Sequence, residues 1–322
     1  MTKRSLRWLF VFSILLTVTS QAQIKYTSVE DAINNTQNLT GLSGPSSVNW
    51  VEGGKKYSFK DEGSIIKLYD PVTDKEEIVF DPANEKFPDT DKKFTYSTFE
   101  WSKDFQYIVF RTNVRPVWRN SGYADYYTYS RLDKTIKLIA ENAYTAEISP
   151  DGKKVGYERN GNLFVMELAT RKEKQLTSDA KEFFYNGRFG WAYEEEFGLV
   201  QAWEWSADAE YIAFWQTDER HVPLYRYTDY SGFKENFKSI PYPRVGDTNP
   251  AVKIGVVNTS SGITSWMKVD AEGDYIPRVY WIAQKNQLAI VHLNRKQNHM
   301  QLFFADILTG KAQKVFEERS GT

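Results

Sequence analysis

The 322-residue chain carries 41 Lys and Arg against 42 Asp and Glu, a net charge of −1 that offers no basic surface for a nucleic acid. The absence of cysteine excludes disulfides, thiol nucleophiles, thiolate zinc and cysteine-held iron–sulfur clusters, and three histidines argue against a histidine-rich metal site, so neither metal nor cofactor is expected. Twenty Tyr, 20 Phe and 10 Trp suit sheets, whose pleated faces accept flat rings.

The chain opens with Lys3, Arg4 and Arg7, followed by an apolar run of 11 residues from Trp8 to Val18. That run is too short to cross a bilayer and has the length of a signal-peptide core. Ser20 and Ala22 are the small residues expected before a cleavage point, so residues 1–22 are read as a leader and the protein as exported, periplasmic or secreted, with no membrane span after cleavage. Cleavage removes three positive charges and leaves a mature chain near −4. Residues 23–47 follow as a lead-in segment. Within it, Ser28-Val29-Glu30-Asp31 before Ala32 and Ile33 predicts a short capped helix.

From about residue 48 one strand-turn-strand pattern returns five times: VNWVEGGKKYSF, FEWSKDFQYIVF, AEISPDGKKVGY, WEWSADAEYIAF and VYWIAQKNQLAI. Its marker residues are Trp50, Trp101, Ile148, Trp205 and Trp281, spaced by 51, 47, 57 and 76 residues. Periods near this length, with several strands each, predict propeller blades, whereas a β-sandwich does not repeat a turn in this way. The expected fold is therefore all-β, a β-propeller of four-stranded blades over 48–322. Pro150-Asp151-Gly152 predicts a tight turn, and Asn160-Gly161 predicts a hairpin. Residues 82–93 and 225–250 read as loops.

No G-x-S-x-G elbow, H-E-x-x-H or phosphate loop occurs, so no catalytic residue is assigned in this chain. The chemistry instead concentrates in GWAYEEEFG, where Glu194, Glu195 and Glu196 stand between Trp191, Tyr193 and Phe197. Such a run is ordinarily a solvated surface. Framed by aromatics and glycines, it also fits carboxylates held at a packed wall. Crowded carboxylates repel, and a cation relieves the repulsion; a peptide amino terminus, with a pKa of about 7.7–8, is such a cation. Glu195 and Glu196 can converge on one ammonium only if this stretch leaves strand geometry, for instance as a helical turn. In VWRNSGYADYYTY, Arg119 could grip carbonyl or carboxylate oxygens in a fork, or simply stack on surface aromatics.

Together these segments resemble the dipeptidyl peptidase IV family of prolyl-oligopeptidase-like serine peptidases. WAYEEEF is similar to the family's double-glutamate motif, and VWRNSGYADYYTY to the strand and loop with its substrate-binding arginine. DERHVPLYRYTDY and IPYPRVGDTNPAVKIGVVN are similar to the arm leaving its propeller and the return strand, and TSVEDAINN to the segment before the first blade. The resemblance implies an eight-bladed propeller, about five to six blades of which fall in this chain, capping an α/β-hydrolase domain. It further implies release of X-Pro or X-Ala dipeptides from peptides with a free amino terminus. Glu195 and Glu196 would then hold the substrate ammonium, and Arg119 the substrate backbone carbonyl. The catalytic serine, aspartate and histidine would belong to a C-terminal hydrolase domain absent from these 322 residues, leaving this piece inactive alone. The arm at 225–250 would join two copies as a homodimer. The alternatives are a tripeptidyl peptidase of the same superfamily and a non-catalytic exported propeller that binds protein or glycan.

Overall fold

The computed structural model describes residues 26–35, 44–230, 232–283 and 286–321. The expected leader lies outside them. The lead-in helix forms as α1 (Val29–Asn34), with Ser28 Oγ accepting from Asp31 N–H at 3.0 Å and Asp31 Oδ2 accepting from Thr27 N–H at 2.9 Å. The serine thus caps one free donor of the helix start, and the aspartate reaches back to the residue before the cap.

The rest is antiparallel sheet. The first sheet is a meander of β1 (Ser46–Val51), β2 (Lys56–Lys60), β3 (Ile66–Asp70) and β4 (Lys75–Phe80). The second has seven strands, β5 (Thr98–Trp101), β6 (Tyr107–Pro116), β7 (Gly122–Ser130), β8 (Thr135–Ile148), β9 (Lys154–Arg159), β10 (Asn162–Glu167) and β11 (Glu173–Gln175), paired in sequence order. The third joins β12 (Phe184–Asn186) and β13 (Trp203–Trp205) to β14 (Tyr211–Asp218), which continues to β17 (Ala251–Asn258) and β18 (Thr264–Trp266). The last is a meander of β19 (Tyr275–Trp281), β20 (Gln287–Leu293), β21 (His299–Asp306) and β22 (Ala312–Arg319). Each of the five repeats is an antiparallel pair: β1–β2, β5–β6, β8–β9, β13–β14 and β19–β20.

Two expectations need correction. The second and third repeats do not form separate four-stranded sheets. β8 is 14 residues long, pairs with β7 through its first half and with β9 through its second, and so belongs to both. Nor is 225–250 only a loop. It holds most of a hairpin of β15 (Leu224–Asp229) and β16 (Asn236–Pro241), whose alternating Tyr225, Tyr227 and Phe237 supply strand propensity that the prolines beyond it obscured. Among the described residues no sheet closes on itself.

Period-two alternation decides how the sheets stack. On β6, Ile108 and Phe110 pack back onto Ile66, Leu68 and Phe80 of the first sheet, while Val109 faces forward onto Tyr157 and Phe164. On β10, Leu163 and Val165 meet Trp203 and Phe214, and Phe164 and Met166 point the other way. On β14, Ala213 and Trp215 face Ile276, Leu288 and Ile290 of the last sheet. Four apolar layers thus separate five successive repeats, and each layer buries side chains that its own sheet could not cover.

The recurring tryptophan has a definite task. Trp101 Nε1 donates to Ser58 Oγ at 2.7 Å, Trp205 Nε1 to the Glu147 carbonyl at 3.4 Å, and Trp281 Nε1 to the Glu204 carbonyl at 3.2 Å. Each indole reaches into the preceding repeat. Trp50 has no such repeat before it and is 63% exposed. The turns behind these strands share one chemistry too. Ser102, Ser149 and Ser206 donate to Asp104, Asp151 and Asp208 at 2.5–2.6 Å, and each serine then accepts the backbone N–H that begins the next strand. The turn demands a positive φ one residue after the aspartate, supplied by Gly152 at 72° but also by Phe105 at 57° and Ala209 at 59°. Asn160 and Gly161, at 53° and 77°, make the two-residue turn expected between β9 and β10.

Candidate functional site

The acidic triplet leaves strand geometry, as convergence requires. It forms α2 (Trp191–Phe197), started at Gly190 and stopped at Gly198, whose φ of 65° is the left-handed conformation that ends a helix. A Cβ on Gly190 would lie 1.8 Å from Glu219 Oε1, so any larger residue there would have to displace that carboxylate. Three contacts hold the helix. Tyr193 is buried and its Oη accepts from Ile276 N–H at 3.0 Å, tying α2 to β19. Arg278 Nη2 donates to the Phe197 carbonyl at 3.1 Å, placing a cation at the helix C-terminus. Trp191 packs on Tyr242 with ring centroids 4.5 Å apart, and Tyr242 on Tyr225, so the base of the β15–β16 arm leans on the first residue of the helix.

Successive helical residues point about 100° apart, and the three glutamates meet three environments. Glu194 is buried, with 2% of its surface exposed. Glu195 is half-buried, and Glu196 is exposed. Arg119 comes from the turn between β6 and β7, beyond the strand end at Pro116. Its Nε lies 3.3 Å from both Glu195 carboxylate oxygens, while 76% of the side chain stays exposed. The structure therefore brings Arg119 and Glu195 together across 76 residues of sequence, with Glu196 beside Glu195 on the same helix.

The Arg119 turn is closed by Val117 N–H donating to the Ser121 carbonyl at 3.0 Å. A Cβ on Gly122 would meet the Arg115 carbonyl at 2.5 Å, so only glycine permits so tight a return. Below it lies a buried polar group that sequence reading missed. Arg188 donates to Tyr123 Oη and stacks over Tyr185 at 3.7 Å and Tyr144 at 5.3 Å. Burial pushes the carboxyls of Glu158 and Glu219 up to about 7 against the opposing pull of Arg188. The guanidinium itself is held protonated. The signal in sequence was an arginine in a run of aromatics, FFYNGRFGW, with nothing local to mark its tyrosine cage. Among the described residues no cluster of His, Asp and Glu could hold a metal ion.

A second acidic group lies in the repeat itself. Glu100, Glu147 and Glu204 occupy the same place on successive first strands and line one cavity of about 440 Å³ with Lys103 and Gln201. Gln201 Nε2 donates to Glu147 Oε2 at 2.8 Å. Burial first, then neighbouring Glu147, pushes Glu204 up to about 7.

Residues 102–322 match the family model described as the dipeptidyl peptidase IV N-terminal region. The chain is 30% identical to dipeptidyl peptidase 4 of Sus scrofa over 280 residues, covering 80% of this chain and 35% of that protein. It is 29% identical to a probable dipeptidyl peptidase 4 of Aspergillus clavatus over 298 residues, covering 86% of this chain and 37% of the relative. The chain thus spans little more than a third of the length of these relatives. The crystal structure of Porphyromonas gingivalis dipeptidyl peptidase 4 superposes with a TM-score of 0.81 at 23% identity, over 92% of this chain and 43% of that one.

Proposed function

The chain belongs to the dipeptidyl peptidase IV family, matched over that family's N-terminal region, and from this premise we propose that it is the substrate-reading propeller of an exported serine exopeptidase. Its five repeats are the blades that fall in this chain, and they gate access to an α/β-hydrolase domain that carries the catalytic serine, histidine and aspartate. The observation that carries the reading is the pairing of Arg119 with Glu195 at 3.3 Å, beside exposed Glu196. A peptide ammonium, mostly protonated at neutral pH, enters between the two carboxylates and exchanges water for charge-assisted hydrogen bonds. Arg119, engaged with the protein through Nε, presents its terminal amino groups to the substrate backbone carbonyl. Fixing the amino terminus leaves room for two residues before the nucleophile, so the site measures length, and Pro or Ala is favoured at the second position. The β15–β16 arm is the surface at which a second copy docks.

The test uses the full-length enzyme. Glu195→Ala and Glu196→Ala should each lower kcat/KM for a chromogenic X-Pro substrate by about a hundredfold or more, because binding at the ammonium also positions the scissile bond. Acetylating the substrate amino terminus should abolish release. Unchanged kcat/KM in both variants, or tripeptides as the product, would overturn the assignment.

A further inference from the structure

We infer that Glu194, the first acid of the triplet, is a positioning residue that sets the Arg119 turn and never meets the substrate; the inference rests on the dipeptidyl reading above. Glu194 is 2% exposed, so no ligand reaches its carboxylate. Its Oε1 instead accepts the Asn120 backbone N–H at 2.7 Å, across 74 residues of sequence. Asn120 directly follows Arg119. The next residue, Ser121, is held as well: Tyr144 Oη donates to Ser121 Oγ at 2.6 Å, and both side chains are buried. The turn is therefore tied below at two successive residues, by Glu194 of α2 and Tyr144 of β8, while its apex, Arg119, remains in solvent.

The geometry joins the two halves of the site. α2 offers Glu195 outward to the guanidinium, and one residue earlier offers Glu194 inward to the backbone that bears that guanidinium. A hydrogen bond from a backbone N–H to a buried carboxylate is strong and directional, and removing the carboxylate leaves the Asn120 N–H without the acceptor that fixes it to α2. The turn would then relax, and Arg119 would leave the position from which it meets both Glu195 and the substrate. A misplacement of about 1 Å can cost on the order of a hundredfold in rate.

Three variants of the full-length enzyme test this with an X-Pro chromogenic substrate: Glu194→Ala, Glu194→Gln and the double variant Glu194→Ala with Arg119→Ala. Glu194→Ala should lower kcat/KM by about tenfold to a hundredfold. Glu194→Gln keeps an oxygen acceptor for Asn120 N–H and should recover most of the loss, whereas a direct ligand to an ammonium would lose as much with Gln as with Ala. If Glu194 acts through Arg119, the double variant should be no slower than Arg119→Ala alone. Wild-type kcat/KM in Glu194→Ala, losses that multiply in the double variant, or a Gln variant as impaired as the Ala variant would each overturn the inference. Should Glu194→Ala fail to fold, the Gln variant still decides between the two roles. A wild-type enzyme that releases no dipeptides would overturn the functional reading instead, so the two failures are distinguishable.

Discussion

Tyr193 shows how much of the candidate site is set by buried residues behind it. It lies two positions before Glu195, is 1% exposed, and its Oη accepts the Ile276 N–H from a strand 83 residues away. Burial pushes its phenol pKa far above the ordinary value, so the hydroxyl stays neutral. Tyr193→Phe removes the acceptor and leaves a buried N–H unpaired, which should cost about 1–3 kcal/mol of stability. Urea unfolding of the variant measures this, and a midpoint equal to wild type would show that α2 is not anchored through that bond. Phe189, stacked at 5.0 Å on Tyr193, and Phe197, at 5.3 Å, complete the apolar seat. The charged face of α2 is thus held by its aromatic face.

Among the elements, the β15–β16 arm and α2 are physically continuous through Trp191, Tyr242 and Tyr225, with Arg244 lying 5.1 Å over the Tyr225 ring. The arm's far end is different in kind: Tyr230 is 85% exposed and Phe233 wholly so. Large rings left in water at a hairpin tip suit contact with another molecule. On the proposal that a second copy docks at the arm, replacing Tyr230 and Phe233 together with serine should lower the sedimentation coefficient from that of a dimer to that of a monomer while leaving the fold intact. A dimer that persists would place the contact elsewhere.

At the scale of the whole molecule, the three glutamates that line one cavity, together with buried Glu158 and Glu219, give stability a pH dependence. Glu204 titrates near 7 because burial, then Glu147, disfavours its charge. Glu100 and Glu147 are raised as well, both chiefly by burial, and Lys103 eases the charge on Glu147. A carboxyl whose pKa is higher folded than unfolded stabilises fully below the ordinary carboxylate range, and that contribution is lost as pH rises through about 7. The melting temperature should therefore fall from pH 5 to pH 8, and Glu204→Gln should flatten the decline; an unaltered slope would exclude the carboxylate as its source. The repeat itself was legible because Trp101, Trp205 and Trp281 do the same job at each recurrence, and alternation along Tyr211–Trp215 is local. The helix at Glu194 was legible as a requirement of convergence. What could not be read was distance in three dimensions: that Glu194 turns inward to Asn120, that Arg188 is caged by tyrosines, or that Phe105 and Ala209 adopt the left-handed turn that Gly152 advertises. The first two depend on partners from distant segments, which no local pattern encodes; the third is a local turn in which the serine–aspartate hydrogen bonds accompany a non-glycine residue at positive φ.

Strand β8 carries one last consequence. Since one segment, Thr135–Ile148, pairs with β7 and then, past register shifts around Asn142 at a φ of 54°, with β9, the second and third repeats share a backbone ladder as well as an apolar layer. Neither can shear away from its neighbour without breaking a strand in its middle. Tyr144, which ties down the Arg119 turn, sits in the second half of that strand, so the turn is moored to the segment that joins the two repeats.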